Sequence, residues 1–119
     1  MRAWILGIIV ALFVGSAAQA APIFVDAGTA TCSTFFKMKK ENPELTDLTL
    51  DSWLKGYLSG VNSVLGAMGQ KVYDLSGLKG DQALDFMHSY CVRNPSANYQ
   101  DGTIALMSAL SRTDAPPKR

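Results

Sequence analysis

The chain has 119 residues, 18% of them charged, and a formal net charge of +1 at pH 7. Residues 1–20 contain one charged residue, Arg2, so the ten remaining basic residues balance the ten acidic ones. A balanced charge argues against nucleic acid or an anionic membrane as a partner, because both favour a basic protein surface.

The first 20 residues are typical of a secretory signal peptide. Arg2 provides a positive start, residues 4–14 are apolar, and Ala18-Gln19-Ala20 is a small-x-small cleavage site. The apolar run is too short to predict a stable membrane span, although an uncleaved anchor helix is the alternative. The sequence therefore predicts export to the periplasm.

The exported part is predicted to be a single domain with one core. It covers residues 21–112 and is followed by a flexible tail over residues 113–119. It contains two cysteines, Cys32 and Cys91. An even count in an exported chain predicts a disulfide, here closing a loop of about 60 residues and contributing roughly 4 kcal/mol through chain entropy. Two unpaired buried thiols are the alternative.

A first helix is predicted from Cys32 to about Lys40, with Thr31 as its N-cap. Asn42-Pro43 should end this helix, because proline disfavours helical geometry in the residue before it. The next residues, 44–49, are predicted to be a connector.

The longest predicted helix covers residues 50–68, where apolar side chains recur at helical spacing. A ridge of small residues runs along it, and each glycine inside a helix costs roughly 1 kcal/mol relative to alanine. We therefore expect Gly56 and Gly60 to lie where a neighbouring backbone approaches closely. Asn62 is expected to hydrogen-bond a loop.

Two aromatic residues, Trp53 and Tyr57, lie one helical turn apart in this helix, next to Leu58. The simplest interpretation places Trp53 and Tyr57 in the core. The alternative is that they form an exposed anchor, with Leu58, for a partner protein.

The second half of the domain contains a loop and two further helices. Residues 70–80 are rich in turn formers and predict a loop, with a short strand or 3₁₀ turn left open. A third helix is expected over residues 82–94, capped by Asp81. A fourth helix is expected to start at Ser96 or Asn98 and to end before a frayed tail.

These elements define the predicted fold class. With Cys32 early in the first helix and Cys91 late in the third, a disulfide would join those two helices. The prediction is an all-α protein, a small four-helix bundle of the orthogonal type closed by one disulfide.

The sequence offers little material for catalysis. The single histidine, His88, is expected at the surface or half-buried. No serine lies in a G-x-S-x-G motif, no cluster has metal-ligand spacing, and no glycine-rich phosphate loop follows a strand. We therefore predict a non-enzymatic protein with no catalytic residues, no metal and no cofactor.

Three short motifs carry a family resemblance over residues 31–96: Thr31-Cys32-x-x-Phe35, Trp53-x-x-Gly56-Tyr57 and Tyr90-Cys91-x-x-Asn94-Pro95. Together they resemble the HdeA/HdeB-type small periplasmic proteins. The resemblance implies an all-helical acid-stress chaperone whose single disulfide corresponds to Cys32–Cys91. Its partners would be unfolded periplasmic clients, which we expect to be held at low pH by apolar surface at Trp53, Tyr57 and Leu58.

A second, weaker resemblance is to the helical immunity proteins that neutralise type VI secretion amidase effectors. They share a periplasmic signal, a central helix rich in glycine and tyrosine, and a closing Asn-Pro before the last helix. This resemblance implies one specific effector as the partner. Both resemblances predict binding to other proteins, and the sequence leaves a homodimer open.

Overall fold

The computed structural model describes residues 26–117, so the predicted signal peptide lies outside the described residues. Four α-helices dominate this part, which confirms the all-α fold class. They are α1 (Cys32–Glu41), α2 (Pro43–Ala67), α3 (Gln82–Arg93) and α4 (Tyr99–Ala109). A 3₁₀ turn (Asp26–Thr29) precedes α1, and two short strands are present, β1 (Val72–Tyr73) and β2 (Arg112–Thr113).

The predicted disulfide joins the start of α1 to the last part of α3. Cys32 and Cys91 are bonded, with their Cα atoms 5.0 Å apart, and both are fully buried. The N–H of Cys32 donates to the carbonyl of Ala97 at 2.8 Å, and the N–H of Ser33 donates to that of Pro95 at 3.1 Å. The start of α1 is thus fixed to the α3–α4 connection by a covalent bond and by hydrogen bonds.

The helix α2 begins at Pro43, well before the predicted start near Leu50. Residues 44–49, which we expected to be a connector, form its first turns. Pro43 suits the first turn, where its missing N–H is not needed, and the Asn42 side chain accepts a hydrogen bond from the Leu45 N–H at 3.1 Å. The connector prediction was wrong because the Asn-Pro pair that ends α1 also starts α2.

Helix α2 ends at Ala67, one residue before the predicted end at residue 68. Met68 is the C-cap residue, and Gly69 follows with φ = 69°, a left-handed conformation that glycine adopts without steric penalty.

The C-terminal residues after α4 pair with the loop after α2. Strands β1 and β2 are antiparallel, with Val72 opposite Thr113 and Tyr73 opposite Arg112. The guanidinium of Arg112 lies 4.3 Å from the centroid of the Tyr73 ring and also donates to the carbonyl of Lys71. The predicted tail, residues 113–119, thus begins within this pair of strands, next to Arg112, which binds both the ring and the backbone of the loop.

Helix α4 has a complete capping box. The Asn98 side chain accepts from the Asp101 N–H at 2.8 Å, and the Asp101 carboxylate accepts from the Asn98 N–H at 3.1 Å. Asn98 is therefore the start that the sequence left open against Ser96. At α3, Asp81 occupies the predicted N-cap position, but its side chain makes no capping hydrogen bond.

The core lies on one side of α2. This helix packs against α1, α3, the 3₁₀ turn and β1, whereas α4 packs mainly against α3 and the 3₁₀ turn. Helix α2 contributes Leu50, Leu54 and Leu58 at a spacing of four residues, each no more than 2% exposed. The other members of the core are Cys32, Phe35, Ala83, Met87, Cys91, Tyr99 and Leu106.

Candidate functional site

The predicted aromatic pair is present, but Trp53 is packed within the bundle. Its ring stacks on that of Tyr57, with centroids 5.4 Å apart, and lies edge-on to Tyr99 at 5.6 Å. The backbone of the 3₁₀ turn crosses the indole so closely that a Cβ on Gly28 would lie 2.5 Å from the ring. Trp53 is therefore held between Tyr99 of α4 and the 3₁₀ turn. Of the two stacked aromatic residues, Tyr57 is the one that lies on the open side of α2.

The third residue of the predicted anchor, Leu58, is a core residue. It is 1% exposed and belongs to the same buried stripe as Leu54. A partner protein would contact Leu58 only after the bundle loosened.

The predicted close approach at Gly56 and Gly60 is wrong for the described bundle. A Cβ at either position would meet no described atom within 4 Å. The close approach occurs instead at Gly28 and at Gly102, where an added Cβ would lie 2.5 Å from Cε of Met87. Gly102 is also a glycine inside a helix, so the signal that predicted a close approach in α2 was equally present in α4.

The open side of α2 forms a shallow apolar depression, called the α2 groove below. It has a volume of about 460 Å³ and is lined by Gly56, Tyr57, Gly60, Val61, Val64 and Leu65, with no charged residue among them. Val64 is 60% exposed, and Met68, one turn further on, is 64% exposed. Because these exposed apolar residues are contiguous, the α2 groove is a candidate surface for binding another protein.

A second depression, on the α1–α3 side, is polar. Its volume is about 370 Å³, and it is lined by Lys39, Asp47, Asp81, Leu84, Asp85 and His88. Lys39 of α1 pairs with Asp47 of α2 at 2.9 Å, which links the two helices. His88 is exposed, as predicted, and its ring meets that of Phe36 edge-on at 5.5 Å. Among the described residues, no group of His, Cys, Asp and Glu side chains could hold a metal ion.

The C-terminal half of α2 is fixed to β1 by Asn62, as predicted. Its amide nitrogen donates to the carbonyl of Tyr73 at 2.8 Å, and its amide oxygen accepts from the N–H of Tyr73 at 2.8 Å. Both bonds are part-buried, so the loop after α2 is held on one side of the helix while the groove on the other side stays uncovered by described residues.

Two ionisable side chains within residues 26–117 have a pKa that is clearly shifted by their surroundings. Burial, followed by the nearby carboxylates of Asp51 and Asp47, raises the pKa of Tyr99 above its usual range. Its hydroxyl is buried and has no hydrogen-bond partner among the described residues. In the loop after β1, hydrogen bonds from Ser76 lower the pKa of Asp74, whose carboxylate accepts from the Ser76 N–H at 2.9 Å.

With 25 residues, α2 is as long as a membrane-spanning helix. Neither α2 nor any other described helix combines this length with the apolar character that crossing a membrane requires. Comparison with known proteins finds no matching family model, no similar curated protein and no similar solved structure.

Proposed function

We propose that this chain is an exported, non-enzymatic domain that binds other proteins through the α2 groove. The observation that supports the proposal is the uncharged lining of the groove together with the exposure of Val64. Burying such a surface against a partner is favourable by roughly 25 cal/mol per Å² of apolar area, before the losses of freedom on binding are counted.

The proposed partners are unfolded proteins in an acidified periplasm, as the resemblance to the HdeA/HdeB-type chaperones implies. At about pH 2 carboxylates are protonated, given reference pKa values near 4, so the exported chain would carry a charge of about +12. Mutual repulsion of these charges would loosen the packing of the helices, while the Cys32–Cys91 bond keeps the chain crosslinked.

The test is the aggregation of an acid-labile enzyme at about pH 2–3, followed by light scattering with and without the purified protein. We expect protection at a stoichiometric excess of the protein. Val64→Ser should reduce the protection, because Val64 lines the groove. Leu48→Ser is the matched control, since Leu48 is also highly exposed on α2 but does not line the groove. No protection by the unmodified protein would remove the chaperone function.

A second candidate function is inhibition of a type VI secretion amidase effector at neutral pH. The observation that favours it is that the groove is open while the described bundle is intact, so binding there needs no acid. A pull-down from periplasm at about pH 7 should then retain one effector in a fixed ratio, and Val64→Ser should release it. Retention of many proteins only at low pH would contradict this candidate.

A further inference from the structure

The two-stranded sheet has one closed edge and one open edge. At the outer edge of β1, the amide nitrogen of Asn62 donates to the carbonyl of Tyr73 and the amide oxygen accepts from the Tyr73 N–H, each at 2.8 Å. A third strand would make the same two hydrogen bonds with Tyr73. The Asn62 side chain therefore closes this edge, and β2 forms the other edge of the sheet.

The pairing of the strands shows which backbone groups of β2 point outward. The N–H of Asp74 donates to the carbonyl of Ser111 at 2.8 Å, whereas Tyr73, which is bonded to Asn62, lies opposite Arg112. Because hydrogen-bonded and non-hydrogen-bonded pairs alternate in an antiparallel ladder, Tyr73 and Arg112 form a non-hydrogen-bonded pair. The N–H and the carbonyl of Arg112 thus point away from β1, and neither has a hydrogen-bond partner within the described part of the chain.

This outer edge of β2 is accessible, and it is short. Residues 112–114 are all exposed, and the guanidinium of Arg112 is directed at the Tyr73 ring of the other strand, away from the open edge. Two positions after Asp114, the backbone nitrogen that would next point outward belongs to Pro116, which has no N–H to donate. Pairing along the edge is therefore limited to a few residues.

We propose that the outer edge of β2 binds a short extended segment of another polypeptide, one residue of which exchanges both of its backbone hydrogen bonds with Arg112. An unpaired strand edge is a template for an extended chain, and main-chain groups alone make the pairing. Unfolded chains expose such segments, whereas folded proteins protect most of their strand edges. The site shares no residue with the α2 groove, so it does not rest on the proposed function.

The test uses the exported protein at about pH 7 and a capped six-residue peptide of alternating valine and threonine. Exchange of the backbone amides with solvent is followed by NMR during the titration. We expect the exchange of the Arg112 amide to slow several-fold as the peptide saturates, while that of Thr113, which faces β1, changes little. Unchanged exchange at Arg112 would overturn the proposal.

A modified peptide separates backbone pairing from side-chain contact. N-methyl groups on its two central residues leave the side chains in place but remove a donor from each edge of the peptide. We expect this peptide to bind at least about fivefold more weakly, as the loss of one hydrogen bond implies. Equal binding of the two peptides would contradict strand addition.

A matched pair of variants tests the edge from the side of the protein. By the same alternation the N–H of Asp114 points outward, so Asp114→Pro removes an edge donor without removing a bond to β1. It should weaken peptide binding at least about fivefold. Asp114→Ala keeps the N–H and should bind as the unmodified protein does. Equal weakening in both variants would assign the binding to the carboxylate and overturn the proposal.

Two controls exclude other occupants and other sites. Slowed exchange at Arg112 that follows the protein concentration without peptide would place a second copy of the chain at the edge and overturn the proposal. Val64→Ser changes the α2 groove and should leave peptide binding unchanged. Loss of peptide binding in that variant would assign the peptide to the groove, whereas binding that persists supports the edge even where the proposed function fails.

Discussion

Gly28 and Gly102 lie where two elements touch, whereas Gly56 and Gly60 face open space. At the first two positions a methyl group would run into a packed side chain, and at the other two it would meet no described atom. A glycine inside an α-helix lowers the stability of that helix relative to alanine, and this holds for Gly102 in α4 as for Gly56 and Gly60 in α2. In α4 the contact of α3 with Gly102 offsets that loss, but nothing in the described bundle offsets it in α2. Glycine therefore occurs both where two elements of this molecule pack closely and where α2 is uncovered by described residues.

The largest expected effect comes from breaking the packed side of α2. Leu54 is fully buried, so Leu54→Ala should lower the free energy of unfolding by about 2–5 kcal/mol through lost apolar burial and the cavity left behind. Leu48→Ala on the same helix should change it by less than about 0.5 kcal/mol, because Leu48 is 64% exposed. Urea denaturation at neutral pH measures both. Equal losses would mean that α2 is covered on both sides.

A smaller loss is expected from Gly102→Ala. The new methyl group would lie 2.5 Å from Met87 and 3.0 Å from Tyr90, and Met87 is fully buried and cannot swing into solvent. Overpacking of this kind costs about 1–3 kcal/mol, from which the better helix propensity of alanine recovers up to about 1 kcal/mol. We expect a lower melting temperature in calorimetry. A variant as stable as the unmodified protein would show that α3 and α4 can move apart freely.

Much of the fold could be predicted because its signals are local. Apolar spacing and the N-cap at Thr31 each depend on a few neighbouring residues, and the two cysteines are recognised by residue type alone. The pairing of Arg112 with the loop after α2 could not be predicted in this way. It joins residues far apart in sequence through one cation–ring contact, which leaves no periodic pattern.

The site could be predicted only in part, because α2 is apolar on more than one side. Helical spacing identifies Leu54 and Leu58, and equally Tyr57 and Val64, without saying which pair faces the core. The structure assigns the first pair to the core and the second to the open side. That choice depends on how α1 and α3 are held by the disulfide, which is a property of the whole bundle.

The packing around Trp53 can be tested through its neighbour Tyr99. Burial raises the pKa of Tyr99, so above about pH 10 an unfolded chain loses a proton that the folded chain keeps. The folded state then binds more protons, and its stability falls as pH rises, by up to about 1.4 kcal/mol per pH unit for this group.

Tyr99→Phe should remove that alkaline loss. Near neutral pH it should leave stability unchanged or slightly higher, because the phenol hydroxyl is buried without a partner among the described residues. Urea unfolding from about pH 8 to pH 11 measures both effects. An unchanged alkaline slope would mean that water reaches Tyr99 despite the packing of Trp53 against it.

The smallest effect, a gain in stability, is expected from Gly56→Ala. Its methyl group would meet no described atom, so only the helix propensity of alanine counts, and the free energy of unfolding should rise by up to about 1 kcal/mol. Partner or client binding should weaken in the same variant if a partner's backbone needs the space above Gly56. A gain in stability with undiminished binding would place the partner on Tyr57 and Val64 alone. A loss of stability would instead mean that another part of the chain already packs against Gly56, and the open side would then be as closely packed as the contact at Gly102.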